Sequence, residues 1–220
     1  MIKAVLFDMD GVLFDTERLY FKTLVDIVRG FGYEISREFF IGTLGVPGAR
    51  CREMYFETYG NDFPYEAVYK RMFASVRELV KAKGTPLKRG AKDCLEALNT
   101  RGLRLVLATS CPRFAVEDYF ATLPELDRLF SGKVCGGDVV HGKPDPEIFL
   151  KAAKLAECAP AQCLGVEDSP SGLQAIRAAG MYSVMIPDLM PYSDKLKPYT
   201  NTVLKSLHEL PSLIESLNAQ

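Results

Sequence analysis

In Lys3-Ala4-Val5-Leu6-Phe7-Asp8-Met9-Asp10-Gly11-Val12-Leu13-Phe14-Asp15-Thr16-Glu17, an apolar run from Ala4 to Phe7 leads into two carboxylates one residue apart, then a glycine. The run is short enough for a strand buried on both faces. Ligands of open parallel sheets bind beyond the C-terminal ends of the strands, so acids at such an end mark a candidate site. Alternate residues of an extended segment point the same way, which lets Asp8 and Asp10 reach one small volume. Two anions that close repel, and a cation is expected between them. Gly11 permits a backbone turn that a side chain would obstruct. The tetrapeptide alone also reads as a strand running into an acidic turn. The rest of the chain has to decide between the two.

Working outward, Arg18 to Phe31 has helical periodicity, with Phe21, Leu24, Val25 and Val28 on one face and Gly30 and Gly32 as stop signals. Ser36 caps a short helix through Phe40, Ala49 to Tyr59 reads as another, and Pro64 opens a third. That third helix carries a Val68, Met72, Val76, Leu79, Val80 stripe and ends at Gly84. No strand pattern interrupts residues 18–83. Beyond Pro86 strands and helices alternate. Strands are expected at Leu103 to Ala108, Val134-Cys135, Cys163 to Val166, Tyr182 to Ile186 and Thr202 to Leu204. Helices are expected at Ala91 to Thr100, Arg113 to Phe120, Pro146 to Ala156 and Ser171 to Ala179. Such alternation means right-handed crossovers and a parallel sheet. The first strand must join that sheet, because a lone strand among helices has no partner. The expected fold is therefore α/β: a Rossmann-like core of residues 1–15 and 87–220, with an all-α cap of residues 16–86 inserted in it.

Composition fits. The chain has 220 residues, 48% of them hydrophobic, enough for a substantial core. A net charge of -1 gives no basic field for nucleic acid, and no apolar run approaches a membrane span. Asp8 and Asp10 are incompatible with a signal-peptide core. The expectation is a soluble cytoplasmic monomer binding neither nucleic acid nor membrane. The six cysteines, Cys51, Cys94, Cys111, Cys135, Cys158 and Cys163, form no Cys-x-x-Cys pair, which argues against a zinc site or disulfide framework. His141 and His208 read as loop residues without a metal-ligand partner at useful spacing.

Four strand ends or loops now carry polar chemistry: Asp8-x-Asp10, Thr109-Ser110, Gly142-Lys143-Pro144-Asp145-Pro146 and Glu167-Asp168-Ser169. In a parallel sheet these gather on one rim. Singly, Ser110 reads as a cap before Pro112, Lys143 as a solvated loop lysine, and Glu167-Asp168 as acids ahead of a helix. Jointly they suit phosphoryl transfer through a covalent intermediate. Asp8 is then the nucleophile and Asp10 the general acid and base. Thr109 and Ser110 bind phosphate, and Lys143 balances the charge of the transferring group. Asp8, Asp10, Glu167 and Asp168 are the candidate metal site, with hard oxygen donors that suit Mg²⁺.

These four elements, in this order, resemble the haloacid dehalogenase superfamily, in the branch with an α-helical cap after the first motif. That branch holds β-phosphoglucomutase-like enzymes and sugar-phosphate phosphatases. The resemblance runs from Lys3 to about Ile186. It implies Mg²⁺ on Asp8, Asp168 and the Asp10 backbone carbonyl, with Glu167 joining directly or through water. A second acid at Asp10 is similar to phosphatases and mutases, and not to dehalogenases, which lack it. Asp15-Thr16-Glu17 resembles the start of the cap in this branch. Cys111 is a departure: many relatives have another small polar residue there, and its position beside Ser110 suggests sensitivity to oxidation. The expected reaction is Mg²⁺-dependent hydrolysis of a small phosphorylated metabolite, a sugar phosphate. The alternatives are a phosphosugar mutase and a phospho-acceptor signalling domain, the latter disfavoured because it needs no cap.

Substrate choice is expected in the cap. The loop Gly42-Thr43-Leu44-Gly45-Val46-Pro47-Gly48 offers close backbone approach, and Arg50 a grip on a hydroxyl or second phosphate. The loop also reads as a plain helix connection. In the β-phosphoglucomutases a histidine of the first cap helix restrains the general acid, and an ungapped count from Asp10 puts Tyr20 there. Linkers near Phe14 to Thr16 and Gly84 to Arg89 are expected hinges.

Overall fold

The computed structural model describes residues 1–46 and 48–219. Six strands, β1 (Ala4–Phe7), β2 (Arg104–Ala108), β3 (Gly132–Val134), β4 (Cys163–Glu167), β5 (Tyr182–Met185) and β6 (Thr202–Val203), form one sheet. Every pairing is parallel, and the order is β3-β2-β1-β4-β5-β6. The first strand does join the later ones, and it lies at the centre. The winding direction reverses between β1 and β4, and the crevice at that point is where this class of sheet binds ligands.

Among the described residues ten α-helices accompany the sheet: α1 (Thr16–Arg29), α2 (Arg37–Thr43), α3 (Gly48–Tyr59), α4 (Tyr65–Lys83), α5 (Ala91–Thr100), α6 (Arg113–Phe120), α7 (Pro124–Asp127), α8 (Glu147–Leu155), α9 (Pro170–Ala178) and α10 (Leu210–Asn218). Strand alternation divides the core between the two faces. Val5, Phe7, Leu105 and Leu107 pack with Leu95 and Leu98 of α5, Val116 of α6 and Ile214 of α10. Ala4, Leu6, Val106 and Ala108 pack with Phe149 and Ala152 of α8 and Ile176 of α9. This is a Rossmann-like α/β fold, as the alternation predicts.

Between β1 and α5, the regular elements among the described residues are all helices. Ser36 caps α2, its hydroxyl accepting the Phe39 N–H at 3.0 Å. Leu24, Val28, Phe40, Tyr55, Phe63, Val68 and Met72 make a separate core. α4 crosses between the two: Val76 and Val80, one and two turns beyond Met72, belong to the core against the sheet. The two linkers pair with each other. Asp15 donates its N–H to the Pro86 carbonyl, Lys88 to that of Leu13, both at 2.9 Å, and Phe14 and Leu87 form an antiparallel bridge.

Some elements differ from expectation. α9 starts at Pro170 with Ser169 as its cap, because the Ser169 hydroxyl reaches the Gly172 N–H at 3.1 Å. α10 went unread, although Leu210 and Ile214, four apart, are both buried. The third strand ends before Cys135. Of the glycine-rich loop, Pro47 lies outside the described residues. Among the described residues no helix is long and apolar enough to cross a membrane. All six cysteines are free.

Candidate active site

The ends of β1 and β4 bring the acids together. Asp8 follows β1 directly, and its N–H donates to the Val166 carbonyl at 3.0 Å. Glu167 ends β4. Lys143, from the loop before α8, reaches between them, its ammonium 2.5 Å from Asp8 Oδ1 and 2.7 Å from Glu167 Oε1. Glu167 Oε2 accepts the N–H groups of Asp168 and Ser169 at 2.9 and 2.8 Å and the Ser169 hydroxyl at 2.8 Å. Asp8, Lys143, Glu167 and Asp168 are all buried. Gly11 is needed for its shape: its φ is +76°, and a Cβ there would fall 2.2 Å from Asp168 Oδ2.

Asp10 stands next to this group. Its Oδ1 accepts a hydrogen bond from the Thr16 hydroxyl, at the first turn of α1, and its Oδ2 accepts one from the Cys111 thiol at 2.9 Å. Thr109 is buried, its hydroxyl taken by the Cys111 N–H at 3.1 Å, while Ser110 faces the cavity.

The charges are far from their ordinary states. Burial, with the Glu167 and Asp10 charges added and Lys143 opposing, raises Asp8 to about 7. Burial raises Asp10 too, against the pull of its Cys111 and Thr16 bonds. Asp168 is held well above the carboxylate range by burial and then by Glu17, Glu167 and Asp8. Lys143 is also buried, but Asp8 and Glu167 outweigh that and fix its charge above the usual lysine range. So many buried acids, balanced by one ammonium, form a site short of positive charge. Oxygens of Asp8, Glu167 and Asp168 lie within 4.8 Å of one another, so the donor set fits a hard divalent cation.

Above the acids a cavity of about 310 Å³ opens between the strand ends and the helices of residues 16–83. Gly45, Val46 and Tyr20 line it. Gly45 has a φ of +67° and approaches Ser171 so closely that a Cβ would lie 2.8 Å from its hydroxyl. The Tyr20 hydroxyl is paired with that of Tyr119 at 2.5 Å. Arg50 is not brought to the cavity. It is half exposed on the outer side of α3, paired with Glu57 at 2.7 Å and Glu53 at 3.1 Å. The i, i+3 and i, i+7 spacing of those acids explains this, and it was visible in the sequence.

Cys111 also departs from expectation. Burial and the adjacent Asp10 push its thiol well above the ordinary value, the opposite of a reactive cysteine. Its placement makes it a hydrogen-bond donor to Asp10, a role the motif did not reveal. Glu17 and Asp188 were missed as well. With Asp168 they form a second close set of carboxylates, and Asp188 accepts Lys88 at 2.5 Å and Arg18 at 2.6 Å. Glu17 had a signal in Asp15-Thr16-Glu17; Asp188 follows β5 with none. His141 does have neighbours, Asp145 and Glu147, but Glu147 is occupied in accepting the Val140 and His141 N–H groups and pairing with Lys151. His208 packs against Gly90.

The haloacid dehalogenase-like hydrolase family model matches residues 2–180. The chain is 36% identical over 207 residues to a Drosophila melanogaster protein named as a probable pseudouridine-5'-phosphatase, covering 92% of this chain and 88% of the relative. It is 31% identical to a phosphorylated carbohydrates phosphatase of Thermotoga maritima, covering 82% of each. The fold matches a β-phosphoglucomutase of Clostridium difficile with a TM-score of 0.79 over 100% of this chain and 98% of that one, at 23% identity. The chain belongs to the haloacid dehalogenase-like hydrolases. Within them it stands on the side of the phosphoric monoester hydrolases.

Proposed function

We propose that the protein hydrolyses a small phosphorylated metabolite of the sugar-phosphate kind, using Mg²⁺ and an aspartyl phosphate on Asp8. The observation that carries this is the arrangement of the two aspartates. Asp8 is held by the Lys143 ammonium, and Asp10 is held beside it by Thr16 and Cys111 with its carboxyl raised by burial. The first is arranged as a nucleophile and the second as an acid.

In the first half-reaction an Asp8 oxygen bonds to phosphorus as the bond to the leaving oxygen breaks. Asp10 gives its proton to that oxygen, and the neutral alcohol departs. In the second, Asp10 takes a proton from water, the water oxygen bonds to phosphorus, and the Asp8–phosphorus bond breaks to release phosphate. A raised Asp10 suits both roles, since it holds a proton to deliver and is basic enough to recover one. Lys143 keeps its charge throughout and steadies Asp8 and the equatorial oxygens, with Ser110 donating to the same group. Asp8, Asp168 and the Asp10 carbonyl would hold Mg²⁺, which when bound would supply positive charge where an anionic nucleophile meets an anionic phosphate. Glu167, engaged with Lys143 and with three donors at Asp168 and Ser169, would join them directly or through water. Residues 16–86 act as the cap, and the paired linkers as its hinge.

The alternative, a phosphosugar mutase, needs Asp10 restrained from activating water until the sugar returns. Tyr20 is poorly suited to that. Burial pushes its phenol above the ordinary value, and its hydroxyl is engaged with Tyr119, so no group near Asp10 in this position titrates close to 6.5. The test is phosphate release beside a coupled glucose 6-phosphate assay on the same enzyme. Net phosphate release with Mg²⁺, abolished in Asp8→Asn, is expected. Fast conversion of β-glucose 1-phosphate to glucose 6-phosphate with little free phosphate would overturn the hydrolase reading, and turnover retained in Asp8→Asn would overturn the covalent mechanism.

A further inference from the structure

The cavity has two unlike halves. Its floor carries five carboxylates, from Asp8, Asp10, Glu17, Glu167 and Asp168, and the single ammonium of Lys143, already committed to Asp8 and Glu167. Apart from Glu17 at the first turn of α1, which sits with the floor, the inserted helices place no charged side chain on the cavity among the described residues. The cations of α3 point outward to surface acids, Arg50 to Glu57 and Arg52 to Glu66. What the upper half presents is an aromatic strip. Tyr65, Tyr69 and Phe73 recur every four residues along α4, so they share one face. The rings of Tyr65 and Tyr69 stack at 4.2 Å, Tyr69 and Phe73 lie 6.3 Å apart, and Tyr20 continues the row 5.7 Å from Phe73. All four line the cavity.

We propose that the substrate carries one phosphate and no second charged group, and that its leaving alcohol is a neutral ring compound packed against the Tyr65–Tyr69–Phe73–Tyr20 strip. This rests on the phosphatase reading and narrows it. A second phosphate or carboxylate in the upper half would lose its water with no counter-charge, above a floor already rich in carboxylates, and that penalty is severe in an enclosed site. A flat ring gains instead, since ring stacking on aromatic side chains contributes on the order of tenfold or more per ring. Sugar and heterocycle rings share this chemistry.

The test is kcat/KM with Mg²⁺ across a matched set: a nucleoside 5'-monophosphate, a hexose 6-phosphate, glycerol 3-phosphate as the ester of a neutral alcohol without a ring, ribulose 1,5-bisphosphate and phosphoglycolate. Whichever of the first two is preferred, it is expected to exceed by about 30-fold the two compounds that carry a second anionic group, ribulose 1,5-bisphosphate and phosphoglycolate. The two arms identify whether the ring is a base or a sugar. Phe73→Leu is expected to lower kcat/KM for the ring substrate about tenfold while changing glycerol 3-phosphate less than about twofold. A merely structural role for Phe73 would move both together, and that result overturns the strip. Leu44→Lys, at a half-buried cavity position, is expected to shift preference toward the bisphosphate about tenfold, which also guards against a folding defect in the other variant. An ester with a second anionic group turned over as well as the ring monophosphates overturns the proposal and leaves the phosphatase standing. No phosphate release from any of the five overturns both.

Discussion

Replacing Lys143 by methionine isolates the electrostatics of the site, because it keeps the length of the side chain and removes only the ammonium. That ammonium touches Asp8 and Glu167 and is almost wholly buried, so no water takes its place. Breaking a buried ion pair on one side typically costs about 3 to 5 kcal/mol. Asp8 limits that cost by taking up a proton, which gives the penalty a pH dependence of known sign. In the wild type without metal, Asp8 titrates at about 7 when folded against 3.8 as a model carboxyl. The folded state therefore binds the extra proton between those values, and this contribution falls as pH rises from about 4 to about 7. Without the ammonium, the folded Asp8 moves higher still, so in Lys143→Met the fall continues past 7. The difference between the two proteins should widen by roughly 1.4 kcal/mol per pH unit above 7. Urea unfolding in chelator at pH 5.5, 7 and 8 measures it. Phosphate release in Mg²⁺ should drop by about a thousandfold in the same variant. A stability difference that is flat from pH 5.5 to 8, or shrinks above 7, would refute the reading of Lys143 as the counter-charge of Asp8.

Gly11→Ala should lose phosphatase activity and about 1 to 3 kcal/mol of stability by urea titration, since a methyl at φ +76° strikes the Asp168 carboxylate. Cys111→Ala should lower kcat roughly tenfold by freeing one side of Asp10, and Cys111→Ser should restore most of it. Arg50→Ala should leave kcat/KM within about twofold on every substrate, because Arg50 faces solvent away from the cavity. Chelation should abolish phosphate release, with Mg²⁺ restoring it and Ca²⁺ restoring little, measured on the chelated and reloaded enzyme.

Asp8, Glu167 and Asp168 are readable in the sequence because each stands at or just beyond a strand end. A strand's direction fixes where the next two or three residues go, so Asp8, Glu167 and Asp168 converge once the strands are known to be parallel neighbours. Lys143 was readable only through its motif, since nothing in the loop before α8 dictates its reach. The partners of Asp10 were harder. Thr16 sits where a first helical turn normally places a capping residue, and Cys111 reads as a small apolar side chain until the fold sets it 2.9 Å from Asp10. Asp188, far along the chain, becomes a neighbour only through the β4–β5 pairing.

The upper half was obscured for a different reason. On α4 the stripe Val68, Met72, Val76, Val80 has the periodicity of a buried face, and it is buried. Tyr65, Tyr69 and Phe73 run at the same spacing one position further round the helix, so in sequence they read as the edge of that stripe rather than as a surface with its own purpose. Hydrophobic periodicity reports which side chains avoid water, and a cavity wall avoids water as much as a core does. Charge tells more. The Arg50 guanidinium is accounted for by Glu53 and Glu57, one and two turns on, and no cation of the helices lines the cavity among the described residues. Among the described residues the one cationic side chain on the cavity comes from the core, through Lys143. The helices contribute enclosure and aromatic surface, and selectivity should accordingly be lost by trimming rings and altered by adding charge.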